Sequence, residues 1–259
     1  MPSATPDPHA IAWNSQELAN PHQSAEKAGK VRRMFAAIAP RYDLNNRLHS
    51  LWQDQAWRKV AVKASLVRPG EHVLDVACGT GDLSQAFASG VAERVVGVDF
   101  TAEMLDIARR KLLDQPPGLA SKLSYAEGDA QALNFPDRSF DVVSIAFGIR
   151  NVVSPITALR EFHRVLRPGG RLVVLEFDRP RCAPVRWFND VYCGWIMPRT
   201  ATLISGDRSG AYRYLPKSVG TFLSREQLCD AMRQSGFSDV NVRSLSMGIC
   251  ACYTAVKVA

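Results

Sequence analysis

The chain has 259 residues, 46% of them hydrophobic, enough to bury a full core and suited to one α/β domain with an elaboration. No stretch approaches the roughly 20 uninterrupted apolar residues of a membrane-spanning helix, and the opening MPSATPDPHA lacks the blocks of a secretory signal, so a cytoplasmic location is expected. The net charge of +7 is scattered rather than striped, the six cysteines form no CxxC pair and no His pair has zinc-ligand spacing, which argues against nucleic acid, a disulfide framework and a metal.

Residues 1–28 mix Pro, Ser, Asn and His without apolar periodicity and read as a mobile tail, leaving 29–259 as the domain. Over 29–70 apolar residues recur at helical spacing, interrupted at Pro40, and predict a cap of two or three helices. Runs rich in Val, Leu and Ile then predict strands at 72–77, 94–100, 123–130, 140–147 and 171–177. Between them lie helical segments such as AEMLDIARRKLL and ITALREFHRVL, the second stopped by Pro168, Gly169 and Gly170. Strands alternating with helices imply a Rossmann-like, doubly wound, mostly parallel sheet. Residues 178–224 break the rhythm with aromatics, Pro and Gly and read as an inserted lid. The last two runs, 239–246 and 249–257, predict strands that form an antiparallel edge.

Behind the first strand lies Asp75-Val76-Ala77-Cys78-Gly79-Thr80-Gly81, a glycine turn entering a helix at the carboxyl edge of the sheet, where open α/β folds bind ligands. A dinucleotide fingerprint would place Gly at 84, where this chain has Ser84, and no GxxxxGK[ST] run is present. Asp99 ends the second strand as an acceptor for paired ribose hydroxyls. Gly128-Asp129-Ala130 ends the third, offering a carboxylate and a backbone N–H to an adenine edge whose face Phe100 would cover. Any one of these is as readily a helix cap or a turn. Taken in order, D-x-x-C-G-T-G, V-G-V-D, G-D-A and F-D-V-V resemble the successive motifs of class I S-adenosyl-L-methionine-dependent methyltransferases.

Further segments narrow that resemblance. Tyr42 to Asn46 with Ser50 and Trp57, Phe147 to Val152, Leu175-Glu176-Phe177, Tyr212 to Ser218 and Gly248-Ile249 resemble the signatures of the UbiE/MenG family of quinone-biosynthesis C-methyltransferases. The likeness spans Val31 to Lys257 and implies cofactor contacts at Thr80, Asp99, Asp129 and Ala130. Asp75, Gly79, Gly81, Phe100 and Ala146 complete the expected cofactor set, and residues 178–224 become a substrate-side insertion. Ala146 stands where Ser is frequent, and Asn45 and Asp54 stand where Met and His are usual.

The resemblance implies methylation of a demethylmenaquinol, or of the equivalent ubiquinone-pathway benzoquinol, at a ring carbon. Arg150, Asn151, Tyr42 and Asp54 are the catalytic candidates, Arg150 for a developing oxyanion and Tyr42, His49 or Asp54 for handling a proton. Each has a plain counterpart: a cover for the cofactor, a packing residue or a helix-surface charge. Trp187, Phe188, Tyr192, Trp195, Ile196 and Met197 suit an isoprenoid tail or a bilayer interface, and equally a packed lid. Implied partners are therefore a polyprenylated quinol at the membrane surface, with peripheral attachment to its inner face and a homodimer left open. An adenine-directed enzyme would carry N-P-P-Y where this chain has FGIRN, so nucleic acid is not expected. Methylation of another small or lipid-like acceptor, and a cofactor-binding assembly subunit without catalysis, remain as alternatives.

Overall fold

The computed structural model describes residues 13–14, 16–206 and 210–258. Strands form where the aliphatic and β-branched runs stand: β1 (His72–Val76), β2 (Arg94–Asp99), β3 (Leu123–Glu127), β4 (Phe140–Ala146), β5 (Leu166–Phe177), β6 (Phe237–Leu245) and β7 (Cys250–Lys257). Helices α1 (Lys27–Ile38), α2 (Tyr42–Ser50) and α3 (Gln53–Ala64) precede the sheet, with Pro40 in the turn between the first two. Four more alternate with strands: α4 (Asp82–Ala88), α5 (Ala102–Leu113), the short α6 (Pro117–Ala120) and α7 (Pro155–Val165). In the insertion, α8 (Ala183–Val191) runs through a π-helical turn, Tyr192–Ile196, into α9 (Met197–Ser205), and α10 (Ala211–Gly220) and α11 (Arg225–Gln234) follow.

The strand order is β3-β2-β1-β4-β5-β7-β6, parallel from β3 through β5, with β7 antiparallel to both its neighbours. Because the chain leaves β1 for β2 and returns on the other side as β4, the sheet switches direction between β1 and β4, the place where such folds open a ligand crevice. β1 and β2 are buried almost throughout, as strands covered by helices on both faces must be. One face packs Leu74, Val143 and Ile145 against Leu159 and Phe162 of α7, and the other packs Val73 and Val142 against Phe87 of α4 and Trp57 of α3. Ser154 caps α7 by accepting from the Thr157 N–H, and the helix ends at Val165, ahead of the expected Pro168-Gly169-Gly170 stop, which lies inside β5.

Of the tail expected over residues 1–28, residues 1–12 and 15 lie outside the described residues, and the remainder is anchored at Trp13, Leu18, Pro21 and Lys27, which are buried, while Asn14, Gln16, Glu26 and Ala28 between them stay exposed. Trp13 is fully buried and stacks on Tyr214 at 4.8 Å between ring centroids, and Leu18 joins it in a third apolar cluster with Val31, Met34 and Met104. Trp13 and Leu18 are too far apart for helical periodicity to reveal them, but each buries enough apolar surface to hold the segment down.

The glycine turn supplies a test of backbone geometry. Gly79 and Gly81 both have left-handed backbones, φ +55 and +83, but a Cβ at Gly79 would meet open space whereas one at Gly81 would collide with the Tyr125 hydroxyl. Gly79→Ala is expected to cost about 1 kcal/mol and Gly81→Ala about 2–4 kcal/mol, the left-handed penalty plus overpacking. Urea denaturation of the two variants would reveal the gap, and equal losses would contradict the packing described.

Candidate active site

The carboxyl ends of β1, β2 and β4, with the turn after β3, open onto a cleft. Its frame is strained in the manner of binding sites: Ala77 after β1 and Phe147 after β4 have left-handed backbones, φ 52 and 56, without being glycine. Gly148 lets the two loops meet, since a Cβ there would lie 2.6 Å from that of Ala77. At the end of β2 the Asp99 carboxylate accepts from the Gly79 N–H at 2.8 Å and from the Thr101 N–H at 2.9 Å. One side chain therefore holds the glycine loop and the start of α5 while facing the cleft. Burial pushes its carboxyl above the usual value, opposed by those backbone donors.

Of the residues singled out from the sequence, Tyr42, Gly79, Asp99, Phe100, Asp129, Ala130, Ala146 and Asn151 line this cleft. Asn151 is held at both ends of its amide, donating to the Phe147 carbonyl at 3.2 Å and accepting from the Tyr214 hydroxyl at 2.9 Å. Burial pushes the Tyr42 phenol up, so it stays protonated and available as a donor.

Five expected site residues lie elsewhere. Asp75 is buried beneath the loop and accepts from the hydroxyls of Ser84 and Ser144 at 2.6 and 2.8 Å. Burial raises its carboxyl to about 6. Thr80 donates to Asp43 at 2.5 Å, which ties the glycine loop to α2. Gly81 turns toward Tyr125 rather than the cleft. Asp54 accepts from Arg58 at 2.8 Å, Ser50 at 2.9 Å and Gln55 at 2.8 Å, so its lone pairs are committed within the cap. Arg150 is 4% exposed and donates to Glu176 at 2.6 Å and to the Phe147 carbonyl at 2.7 Å, with Phe177 5.3 Å from the guanidinium. A guanidinium spent in that way holds the end of β5 against the turn after β4; it does not face the cleft. His49 also lies apart, its Nδ1 3.3 Å from the Tyr192 hydroxyl.

Sequence reasoning missed Ala28 and Phe35 of α1, Met104 of α5, and Gln131 and Val153 on neighbouring turns, all of which line the cleft. Phe35 follows Ala28 by seven residues, two helical turns along one face, a spacing hidden by drawing the domain boundary at residue 28. The cleft's charge is equally informative. Among its described lining residues are two carboxylates, Asp99 and Asp129, many apolar groups and no Lys or Arg. Such a lining suits a cationic ligand with an apolar ring and repels the phosphates of a dinucleotide or nucleoside triphosphate. A sulfonium-bearing nucleoside fits it.

The ubiE/COQ5 methyltransferase family model matches residues 23–257. This chain belongs to the ubiE/COQ5 methyltransferase family. It is 42% identical to the ubiquinone/menaquinone biosynthesis C-methyltransferase UbiE of Hahella chejuensis over 90% of this chain and 93% of that one. With the same protein of Photorhabdus laumondii the identity is 40%, over 90% and 92%. Among solved structures, an S-adenosylmethionine-dependent methyltransferase of Thermotoga maritima superposes with a TM-score of 0.61 and 22% identity, over 88% of this chain and 99% of that one. Phosphoethanolamine N-methyltransferase 2 of Haemonchus contortus, solved with S-adenosyl-L-methionine, gives 0.57 and 17%, over 80% and 52%. These structural likenesses speak to the Rossmann-like fold. Family membership makes the chain an S-adenosyl-L-methionine-dependent methyltransferase.

The placement of Arg150 generates its own test. Arg150→Met leaves Glu176 buried without its charge partner and is expected to cost about 3–5 kcal/mol, whereas adding Glu176→Leu should recover at least about half. The double-mutant cycle is read by denaturation, and an undiminished fold in Arg150→Met would return the guanidinium to the list of free cleft groups.

Proposed function

We propose that this enzyme methylates a ring carbon of a polyprenylated quinol, converting a demethylmenaquinol to menaquinol or acting on the equivalent ubiquinone-pathway benzoquinol. The observation that carries the reading is the cleft at the β1/β4 switch point, carboxylate-bearing, otherwise apolar and without a basic side chain among its described lining residues. The names carried by relatives about 40% identical supply the acceptor class.

When bound, S-adenosyl-L-methionine supplies an electrophilic methyl group on a sulfonium. Asp99 would accept from the ribose hydroxyls, Asp129 and the Ala130 N–H would take the adenine edge, and Phe100 and Met104 would cover the ring. A quinone ring is a poor nucleophile, whereas a quinol that loses a proton from a hydroxyl of pKa about 10 pushes density onto the neighbouring carbon. Tyr42 and Asn151 stand at the acceptor end as hydrogen-bond donors to the ring oxygen, with the proton leaving through water. Phe35 and Val152, which line the cleft, would exclude bulk water from the reacting carbon.

Beyond the cleft, Trp187, Phe188 and Trp195 are 69%, 63% and 61% exposed, and Arg199 lies over the Trp195 ring. Aromatics with a paired cation suit a membrane interface, which supports entry of the prenyl tail from a bilayer surface. No helix among the described residues is long and apolar enough to cross a membrane.

Two outcomes follow. Asp99→Ala should weaken S-adenosyl-L-methionine binding by about 1.5–3 kcal/mol, the loss of a charged acceptor, in calorimetry on protein shown to be folded; unchanged affinity would remove Asp99 from the site. Labelled S-adenosyl-L-methionine with a panel of demethylated quinols under anaerobic conditions should place label on a ring carbon, and the oxidised quinones should remain unlabelled. Equal rates with both redox forms would exclude activation through the quinol hydroxyl.

A further inference from the structure

Lys27, the first residue of α1, is 1% exposed, and its ammonium spends all three hydrogens inside the protein. Nζ donates to the Arg150 carbonyl at 2.9 Å and the Val152 carbonyl at 2.6 Å, and lies 3.1 Å from His22 Nδ1. His22 Nε2 is in turn 2.9 Å from the Ser218 carbonyl of α10. One tautomer satisfies both contacts, Nε2–H donating to Ser218 and Nδ1 accepting from Lys27. The two carbonyls taken by Lys27 flank Asn151, whose side chain lines the cleft, and Val152 lines it as well. The helix that carries this ammonium, α1, contributes Ala28 and Phe35 to the lining of the same cleft.

We infer that Lys27 is a positioning residue for methyl transfer: its ammonium ion clamps α1 to the 150–152 turn and so sets the separation of the two cleft walls and the place of Asn151. The inference rests on the reading of this cleft as the methyl-transfer site. A buried ammonium is a costly fastener between two neutral carbonyls, and a apolar side chain would fill the space without the desolvation. It sits where it grips the turn that carries Asn151 and Val152, both of which line the cleft.

The charged groups around Lys27 are few. Arg150 on the turn after β4 repels it and is itself paired with Glu176 of β5, and His22 on the preceding turn is pushed toward its neutral form by burial. Burial, with Arg150 second, brings the Lys27 ammonium from 10.5 down to about 8. A neutral amine has two hydrogens for three acceptors, so the clamp loosens as the pH rises through about 8. Stability runs the other way. The folded state holds this proton less tightly than the unfolded chain does, so between about 8 and 10.5 deprotonation adds to stability as pH rises.

The experiment compares the parent with Lys27→Met at a series of pH values from 7 to 10. At pH 7 the variant should lose about tenfold to a hundredfold in turnover of a demethylated quinol, the usual consequence of a displaced wall, with cofactor affinity within about twofold. The parent-to-variant turnover ratio should fall as the pH passes 8, while the parent's stability relative to the variant rises over the same interval; a merely structural lysine would move both together. Hydrogen exchange at the amides of 147–153 needs no acceptor and should be at least about tenfold faster in the variant. Should Lys27→Met fail to fold, the parent alone suffices: protection at 147–153, corrected for intrinsic rates and referred to β1 and β4, should drop above pH 8. Parent-like exchange, or a turnover ratio near one at pH 7, overturns the inference. A parent that labels none of the quinols while showing the exchange behaviour overturns the acceptor assignment and leaves the clamp standing.

Discussion

The ion pair between Arg150 and Glu176 is the constraint around which the site is arranged. Both side chains are almost fully buried, and an isolated charge in that setting would cost several kcal/mol. Each therefore recruits every partner within reach: Glu176 accepts from the Phe177 N–H, Arg150 donates to the Phe147 carbonyl, and Ser218 stands 3.3 Å from Arg150 Nε. The pair joins β4, β5 and α10 at one point, and Lys27 adds the N-terminal helix through the Arg150 carbonyl. With the turn after β4 so fixed, Asn151 is presented to the cleft from a rigid support rather than from a free loop.

A second set of polar contacts does the corresponding work on the cofactor side. Asp75 sits beneath the glycine turn with two serine hydroxyls, Thr80 ties the turn to α2 through Asp43, and Asp99 holds it through the Gly79 N–H. Ser84, which breaks a dinucleotide fingerprint, has a positive role here because its hydroxyl satisfies one oxygen of Asp75. The loop is thus shaped by carboxylates below and beside it, and only one of those, Asp99, is shared with the cleft.

The fold was legible because its cause is local: short aliphatic runs, punctuated by Gly and Pro, can be read without knowing what they touch. Asp99, Asp129, Ala130 and Phe100 could be placed beside the cleft from the sequence because they stand at or just past strand ends, where topology alone brings residues to one edge. Asp54, Asp75, Thr80 and Arg150, expected at the same site, are not among the cleft's lining residues, for the opposite reason. A carboxylate or guanidinium fit for chemistry is equally fit to hold a buried partner, and the partners that decide the matter lie at sequence separations of 4, 69, 37 and 26. Lys27 is the extreme case, its carbonyl acceptors lying 123 and 125 residues away.

The π-helical turn at Tyr192–Ile196 has a consequence of its own. Each α-helical residue advances the chain by about 100° around the axis, so the extra residue held in a π turn rotates everything after it by about that angle. In α9 the result is that Met197 and Ala201 face inward while Leu203 faces out, and in α8 before it Trp187 and Phe188 face solvent. Losing a single residue from this turn would restore regular winding and swing the inward face of α9 away from its neighbours without altering one apolar side chain. In this helix the count of residues carries as much information as their identity.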